Sequence, residues 1–334
     1  MSEPSKKPAK PLLKWVGGKS KLLDTLLPYF PTQIQNYYEL FLGGGSVLLA
    51  ILSETPRRIQ GQIYAYDANP VLISFYQHLQ TQPQVLYEIL QGIIQEFQSI
   101  VPQNPAQEKP KPNRKPATIE EAKTSQESYY YWLREQYNHL TAEQKQRTYG
   151  AALFYFLNKT CFRGVFRVGP NGFNVPYGHY HNPEIVQYEH WMEIHRLLQP
   201  VNFQVMDCSL SILLPQPGDF VYLDPPYVQE TKTSFVGYSL EGFSPDKSRQ
   251  LFRQCHQWIE KGISWVMSNS DVPLLQEYFP STREKKYHLR QVTCRRAIHS
   301  KHPETVGKEV IIYSIAPFQT KTETETEEEE EESH

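Results

Sequence analysis

No two cysteines in this chain stand three residues apart, although it has four, at Cys161, Cys208, Cys255 and Cys294. That spacing excludes the C-x-x-C pattern of zinc ribbons and of redox motifs. The four are expected to be reduced and buried, which fits a reducing compartment. No metal site is expected. The basic, proline-rich start has no apolar run of signal-peptide length behind it, and no segment approaches a membrane span, so a soluble cytoplasmic protein is expected. No internal repeat is visible. The spaced G-x-G-x-x-G of dinucleotide-binding folds is missing. A P-loop is missing too: Gly17-Gly18-Lys19-Ser20 resembles the end of one, but Leu13 stands where the first glycine is required.

What is present is a chain of 334 residues, enough for one large α/β domain with a smaller one inserted, or for two modest domains. Its net charge of −2 hides a split. The last 14 residues carry eight Glu and one Lys; the remainder holds 33 basic residues against 28 acidic ones. The folded part is therefore mildly basic, as suits a protein that meets phosphates, though a surplus this small does not establish nucleic-acid binding. The acidic end, 318–334, is expected to be disordered.

Strand, glycine turn, helix and strand follow one another between Tyr37 and Pro70. Tyr37–Phe41 reads as a strand, Gly43-Gly44-Gly45 as the turn, Ser46–Leu52 as a helix with Ser46 as its N-cap, and Ile63–Tyr66 as a second strand ending at Asp67. Helix is expected from Pro70 to about Ser99, then a proline-rich loop or disordered insertion over 101–126. Further helices are expected at Tyr129–Tyr137 and Tyr149–Leu157, followed by a hairpin rich in Gly, Arg and aromatics, Asn158–Gly178. Strands resume at Phe203–Met206 and Phe220–Leu223. A helix from Pro245 to Lys261 precedes a strand at Ile263–Met267, and the last strand is Glu309–Ile315. Alternation of this kind indicates an α/β fold, a mostly parallel sheet covered on both faces.

Chemistry gathers at the ends of three strands. The glycine turn lets a backbone approach a ligand, and Asp67, ending the next strand, is placed to bind ribose hydroxyls. Taken alone, this pattern is also met by a tight turn with no ligand. Trp15 and Lys19 lie four residues apart and are neighbours if that segment is helical; a surface lysine beside a packed tryptophan is the plain alternative. Asp224-Pro225-Pro226-Tyr227 is more specific. Two prolines fix an extended backbone and remove both N–H donors, leaving carbonyl acceptors, a carboxylate and an aromatic face. That set suits an exocyclic amine, whose two hydrogens the Asp224 carboxylate and a proline carbonyl accept while Tyr227 stacks on the ring. Lys159, Arg163 and Arg167 interleave with Phe162 and Phe166 on the expected hairpin, a composition able to enter a major groove or to pack as a solvated hairpin. A second basic cluster, Arg283–Lys301, reads equally as a phosphate-contacting loop or as ordinary surface.

Taken together, LLKWVGGKSKLL (12–23), YYELFLGGGSVLL (37–49), YAYDANP (64–70), the 158–180 segment, FVYLDPPY (220–227), SFVGYSLEGFS (234–244), VMSNSD (266–271) and CRRAIHS (294–300) resemble the Dam-type N6-adenine DNA methyltransferases, in family order. The resemblance implies a Rossmann-like methyltransferase core over 12–75 and 200–317. It implies an inserted, mainly helical target-recognition domain with a β-hairpin over 76–199, a flexible 1–11 and a tail from 318. It implies S-adenosylmethionine as cofactor, held by Trp15, Lys19, Gly43, Gly44, Gly45, Asp67 and Asp224, with Asp224, Pro225, Pro226 and Tyr227 around an extruded adenine. Double-stranded DNA is the implied partner, met by Phe162, Arg163, Val165, Arg167 and Pro176. Arg167 falls where members that methylate GATC read a guanine, and Phe162 where an aromatic fills the space left by the base. Two features depart from the pattern: Arg163 stands where Asn is frequent, and the turn Gly169–Gly172 is shorter than in some members. A monomer is the default expectation, and a restriction endonuclease is a candidate companion.

Overall fold

The computed structural model describes residues 7–100, 112–181, 183–227, 243–280, 286–295 and 306–314. Along them run α1 (Leu23–Leu26), β1 (Tyr37–Glu39), α2 (Ser46–Leu52), β2 (Ile63–Asp67), α3 (Pro70–Thr81), α4 (Pro83–Ser99), α5 (Ile119–Ala122), α6 (Gln126–His139) and α7 (Ala142–Lys145). They continue with α8 (Thr148–Thr160), β3 (Val168–Gly169), β4 (Gly172–Phe173), α9 (Tyr188–Leu198), β5 (Val201–Val205), α10 (Cys208–Ser211) and β6 (Phe220–Leu223). Last come α11 (Pro245–Glu260), β7 (Ser264–Ser270), α12 (Pro273–Tyr278), β8 (Tyr287–Arg295) and β9 (Val306–Ser314).

Seven of the described strands form one sheet in the order β5-β2-β1-β6-β7-β9-β8. The five from β5 to β7 are parallel, β9 runs antiparallel to β7, and β8 antiparallel to β9. This is a Rossmann-like α/β core. The chain moves outward from β1 through β2 to β5, then returns to the other side of β1 as β6. The order therefore reverses between β1 and β6, and an open α/β sheet binds ligands at such a reversal, beyond the carboxyl ends of the strands.

Successive side chains of a strand point to opposite faces, and here each face has its own core. Tyr37, Ile63, Phe220, Tyr222, Val266 and Ile311 join the layer made with α2, α3, α4, α6, α8 and α9. Tyr38, Val221, Leu223, Trp265 and Ile312 join the layer made with α11 and α12. Burial on both faces is why β6 reads as an unbroken apolar run rather than an alternation. The helical segment between β2 and β5 shares the first layer and packs as one body with it. The expected domain limit at residue 75 falls within α3.

Several elements differ locally from expectation. The helix expected over 70–99 is two helices, because Pro83 opens α4 and Gln82 leaves helical geometry. Of the expected 101–126 loop, residues 101–111 lie outside the described residues; 119–122 form α5, capped by Thr118. Ser46 is not the cap of α2. Gly45 is, at φ 68°, and Ser46 is the first helical residue. Asn158, Lys159 and Thr160 belong to α8, so the hairpin is confined to β3 and β4, closed by the Gly169–Gly172 turn. Helical propensity in the apolar run before Asn158 carries α8 three residues further than the composition suggests. The Arg283–Lys301 cluster becomes, where described, part of β8 in the main sheet; its ends and the acidic tail lie outside the described residues. Cys161, Cys208 and Cys255 are free and buried. Among the described residues, no helix is long and apolar enough to cross a membrane.

Candidate active site

Lys19 and Asp224 meet at the reversal point. Lys19 Nζ lies 2.7 Å from both carboxylate oxygens of Asp224 and donates to the Gly17 carbonyl at 2.7 Å. Its side chain is 3% exposed. The segment 15–22 is not helical, so the condition for Trp15 and Lys19 to be helical neighbours is not met. The Lys19 backbone N–H donates to Ser46 Oγ at 3.0 Å, which ties the segment to the start of α2. Lys19 Nζ also sits 5.1 Å above the centre of the Tyr227 ring. Burial pushes the Asp224 carboxyl above its ordinary range, and the Lys19 ammonium opposes that shift. Tyr227 is held protonated by burial and by the neighbouring Asp224 and Glu309 carboxylates.

Trp15 closes over the glycine turn. A Cβ on Gly43 would stand 2.8 Å from Trp15 Cδ1, and one on Gly44 2.8 Å from Trp15 Cβ, so only glycine allows this approach. The turn is fastened from the other side by Asp67, whose Oδ2 accepts from Gly43 N at 3.0 Å and whose Oδ1 accepts from Asn69 N at 2.9 Å. Burial raises the Asp67 carboxyl, and these two donors counter it. Each oxygen keeps a second lone pair for an outside donor.

Three acidic residues at or near strand ends, among those described, escaped the sequence reading. Glu39, the last residue of β1, is buried and accepts from Tyr37 O–H at 2.7 Å. Burial, partly countered by the Tyr37 bond, raises its carboxyl from 4.5 to about 8. Asp207 follows β5, caps α10 through Ser209 N and pairs with Lys247 Nζ at 2.8 Å. Burial raises it, but Lys247 and the Ser209 donors prevail and its carboxyl lies below the ordinary value. A strand-ending Asp that also caps a helix was the available signal. Glu309, on β9, stands opposite Ser270 of β7.

Glu39 yields a measurable pH effect. Its carboxyl holds a proton in the folded chain up to about pH 8, whereas the unfolded chain releases it near 4.5. The stability tied to the buried neutral acid is complete below that lower value and is lost as pH rises through the upper one. Glu39→Gln keeps a neutral acceptor for Tyr37, so its melting temperature should match the wild type near pH 5 and exceed it by about 2–4 °C or more near pH 9. Thermal melts at both pH values check this; a constant difference between them would remove the assignment.

A family model described as D12 class N6 adenine-specific DNA methyltransferase matches residues 15–297. The chain belongs to this family. Among its relatives, the type II methyltransferase M1.LlaDCHI of Lactococcus lactis subsp. cremoris is 29% identical over 292 residues, covering 86% of this chain and 88% of its own. The type II methyltransferase M.MjaIII of Methanocaldococcus jannaschii is 29% identical over 299 residues, 87% and 93% of the two chains. A DNA adenine methylase of Vibrio cholerae is 28% identical over 262 residues, 78% and 80% of the two.

In this adenine methyltransferase the hairpin stands on the same aromatic framework as the glycine turn. Trp15 stacks on Phe166 at 6.0 Å and 17°, and Phe166 on Phe173 at 5.6 Å and 27°. Phe166 and Phe173 are therefore core, which leaves other residues to face outward. Phe162 is 44% exposed, and Pro176, whose carbonyl accepts from Phe162 N at 2.8 Å, is exposed beside it. Arg163 takes φ 56° and its guanidinium lies 5.2 Å from the Phe162 ring. Val165 is half-buried. Arg167 Nε donates to Asn174 Oδ1 at 2.6 Å, which sets the guanidinium at the rim of the hairpin.

Proposed function

We propose that this methyltransferase moves a methyl group from S-adenosylmethionine to the exocyclic N6 of adenine in a short duplex DNA site, with GATC the first candidate, after extruding the base from the helix. The Lys19–Asp224 pair beside the Tyr227 ring, at the point where strand order reverses, carries this reading. The amine lies inside the base stack of duplex DNA, so extrusion is a physical requirement of the chemistry.

The residues present suit the cofactor. Asp67 offers free lone pairs to a ribose diol, Gly43, Gly44 and Gly45 let the chain pass close to a ligand, and Trp15 and Lys19 flank that turn. S-adenosylmethionine supplies, when bound, an electrophilic methyl on a sulfonium. Asp224 and a carbonyl of Pro225-Pro226 accept the two amine hydrogens and so orient the nitrogen lone pair. Tyr227 stacks on the base. Methylated N6 would give up one proton to solvent, with Asp224 and the proline carbonyl accepting from its hydrogens until then.

Residues 76–199 serve in this reading as the target-recognition part, the chain acts as a monomer on DNA, and a restriction endonuclease is its candidate companion. Phe162 occupies the gap left by the base, with Arg163, Val165 and Pro176 around it. Arg167, steadied by Asn174, reads a guanine. Arg167→Ala should cost about 1–3 kcal/mol of site discrimination, the worth of a bidentate base contact. Competition between duplexes differing at one base pair measures this; unchanged discrimination on every duplex would remove the assignment. The reading as a whole is tested by transfer of tritium from labelled S-adenosylmethionine to adenine-containing DNA, followed by modified-base sequencing. Absence of label on every duplex would leave a DNA-binding protein without activity.

A further inference from the structure

On the side of Asp224 away from the glycine turn, β7 and β9 close the site. Ser270 and Glu309 stand directly opposite each other across this antiparallel pair, so their side chains share a face. It is the face that carries Val266, Tyr222 and Ile311, and Tyr222 O–H lies 3.2 Å from Ser268 Oγ on it. Beyond these apolar neighbours the face turns polar toward the strand ends. There, Tyr227 Oη, Glu309 Oε2 and Ser270 Oγ are all buried, and none has a partner of hydrogen-bond geometry among the described residues. The Glu309 carboxylate is nevertheless near enough to the phenol to oppose its ionisation. A buried hydroxyl and a buried carboxylate oxygen are costly to leave unbonded, and each supplies what the other lacks: one donates, the other only accepts.

We propose that Glu309 is a positioning residue for methyl transfer, its carboxylate accepting a hydrogen bond from Tyr227 and so fixing the ring on which the target base stacks. This rests on the stacking role given to Tyr227 above. Tyr227 follows two prolines, which stiffen the backbone on its amino side but leave its side-chain torsions free. Lys19 Nζ holds the ring at its face, 5.1 Å from the centre. A contact on the face leaves rotation in the ring plane open, and a bond to the hydroxyl removes it. Glu309 comes from a strand packed on both sides, and it touches the base only through Tyr227 in this arrangement.

The test is steady-state methylation of unmethylated genomic DNA by the full chain, comparing wild type, E309A, E309Q, Y227F and Y227F/E309A. E309A should lower kcat about tenfold, as expected for a lost charge-assisted hydrogen bond, with affinity for S-adenosylmethionine within about twofold of wild type. E309Q should recover most of that loss, because the amide oxygen accepts the same bond. In the Y227F background E309A should change nothing further. Fold-changes that multiply in the double variant, or wild-type kcat in E309A, overturn the proposal while leaving the methyltransferase reading intact. No transfer by the wild type overturns both. If E309A does not fold, Y227F decides: a folded Y227F with wild-type kcat overturns the proposal.

Discussion

Asp224→Ala is expected to lower methyl transfer by about 10²–10³-fold while leaving nonspecific DNA affinity unchanged, since removal of one preorganised polar group at a reacting centre costs that much in enzymes where it has been isolated. The carboxylate follows β6, half-buried, on an element separate from β3 and β4. Its loss therefore removes acceptors for the amine without touching the groups that meet phosphates. A second effect follows from the ion pair. Lys19 is almost fully buried and both Asp224 oxygens face it. Truncating one partner of a buried pair leaves the other uncompensated, at about 3–5 kcal/mol. The variant should melt several degrees lower. Asp224→Asn separates the two effects: it keeps one acceptor for Lys19, so stability is largely restored, yet its amide presents a donor where the substrate amine also donates, so transfer stays low. Filter binding, melting curves and label transfer on the same preparations check all three. An Asp224→Asn that methylates at wild-type rate would end the assignment of Asp224 to the reacting amine.

The parts of this site that were legible in the sequence are those where backbone chemistry leaves little choice. Two consecutive prolines after an apolar run can hardly be anything but a rigid strand end, and Gly43 and Gly45 stand where φ is positive. Asp67 and Asp224 were visible because each terminates a strand whose residues are buried on both faces. The strand-and-helix alternation likewise gave the sheet. Glu39 and Glu309 were not visible because their significance depends on which strands lie side by side; Asp207, which follows β5 and caps α10, carried a signal that went unread. Glu39 reads as one more strand residue until β6 is set beside it in register. Glu309, some 85 residues after Asp224, joins it only through the antiparallel return of β9 along β7. Spacing along the chain carries no trace of such a contact.

The Asn158–Gly178 segment shows a different failure, one of geometry. Basic and aromatic residues do alternate from Phe162 to Arg167, but α8 absorbs the start of the expected ribbon and two left-handed residues, Arg163 and Gly164, turn the chain before β3. A left-handed backbone suits Asn far better than Arg. Arg163 nevertheless takes φ 56° here and adds a guanidinium against Phe162.

Lys19→Met should reduce methyl transfer at neutral pH by about 10²-fold and move the acid limb of its pH profile to higher pH. Burial already lifts the Asp224 carboxyl above its ordinary value, and Lys19 is the first of the groups that pull it down. Without the ammonium, the carboxyl rises further and is protonated over a wider range. A protonated acid offers a donor to an amine that needs acceptors, so the rate falls with the fraction of carboxylate. The sign for stability is fixed by the same linkage. A carboxyl whose folded pKa is raised stabilises the fold below its unfolded value and loses that contribution as pH rises through the folded one. Lys19→Met should accordingly lie closest to wild type in melting temperature in acid and fall behind as pH rises, with a deficit of about 3–5 kcal/mol once the lone carboxylate is forced to ionise. Lys19 also covers the Tyr227 ring and fastens Gly17, so some loss of rate will persist at high pH, where the carboxyl is ionised in both proteins. What distinguishes the electrostatic role is the displacement of the acid limb, measured as kcat against pH for both proteins. An unshifted limb beside a uniformly lowered rate would reduce Lys19 to a packing residue.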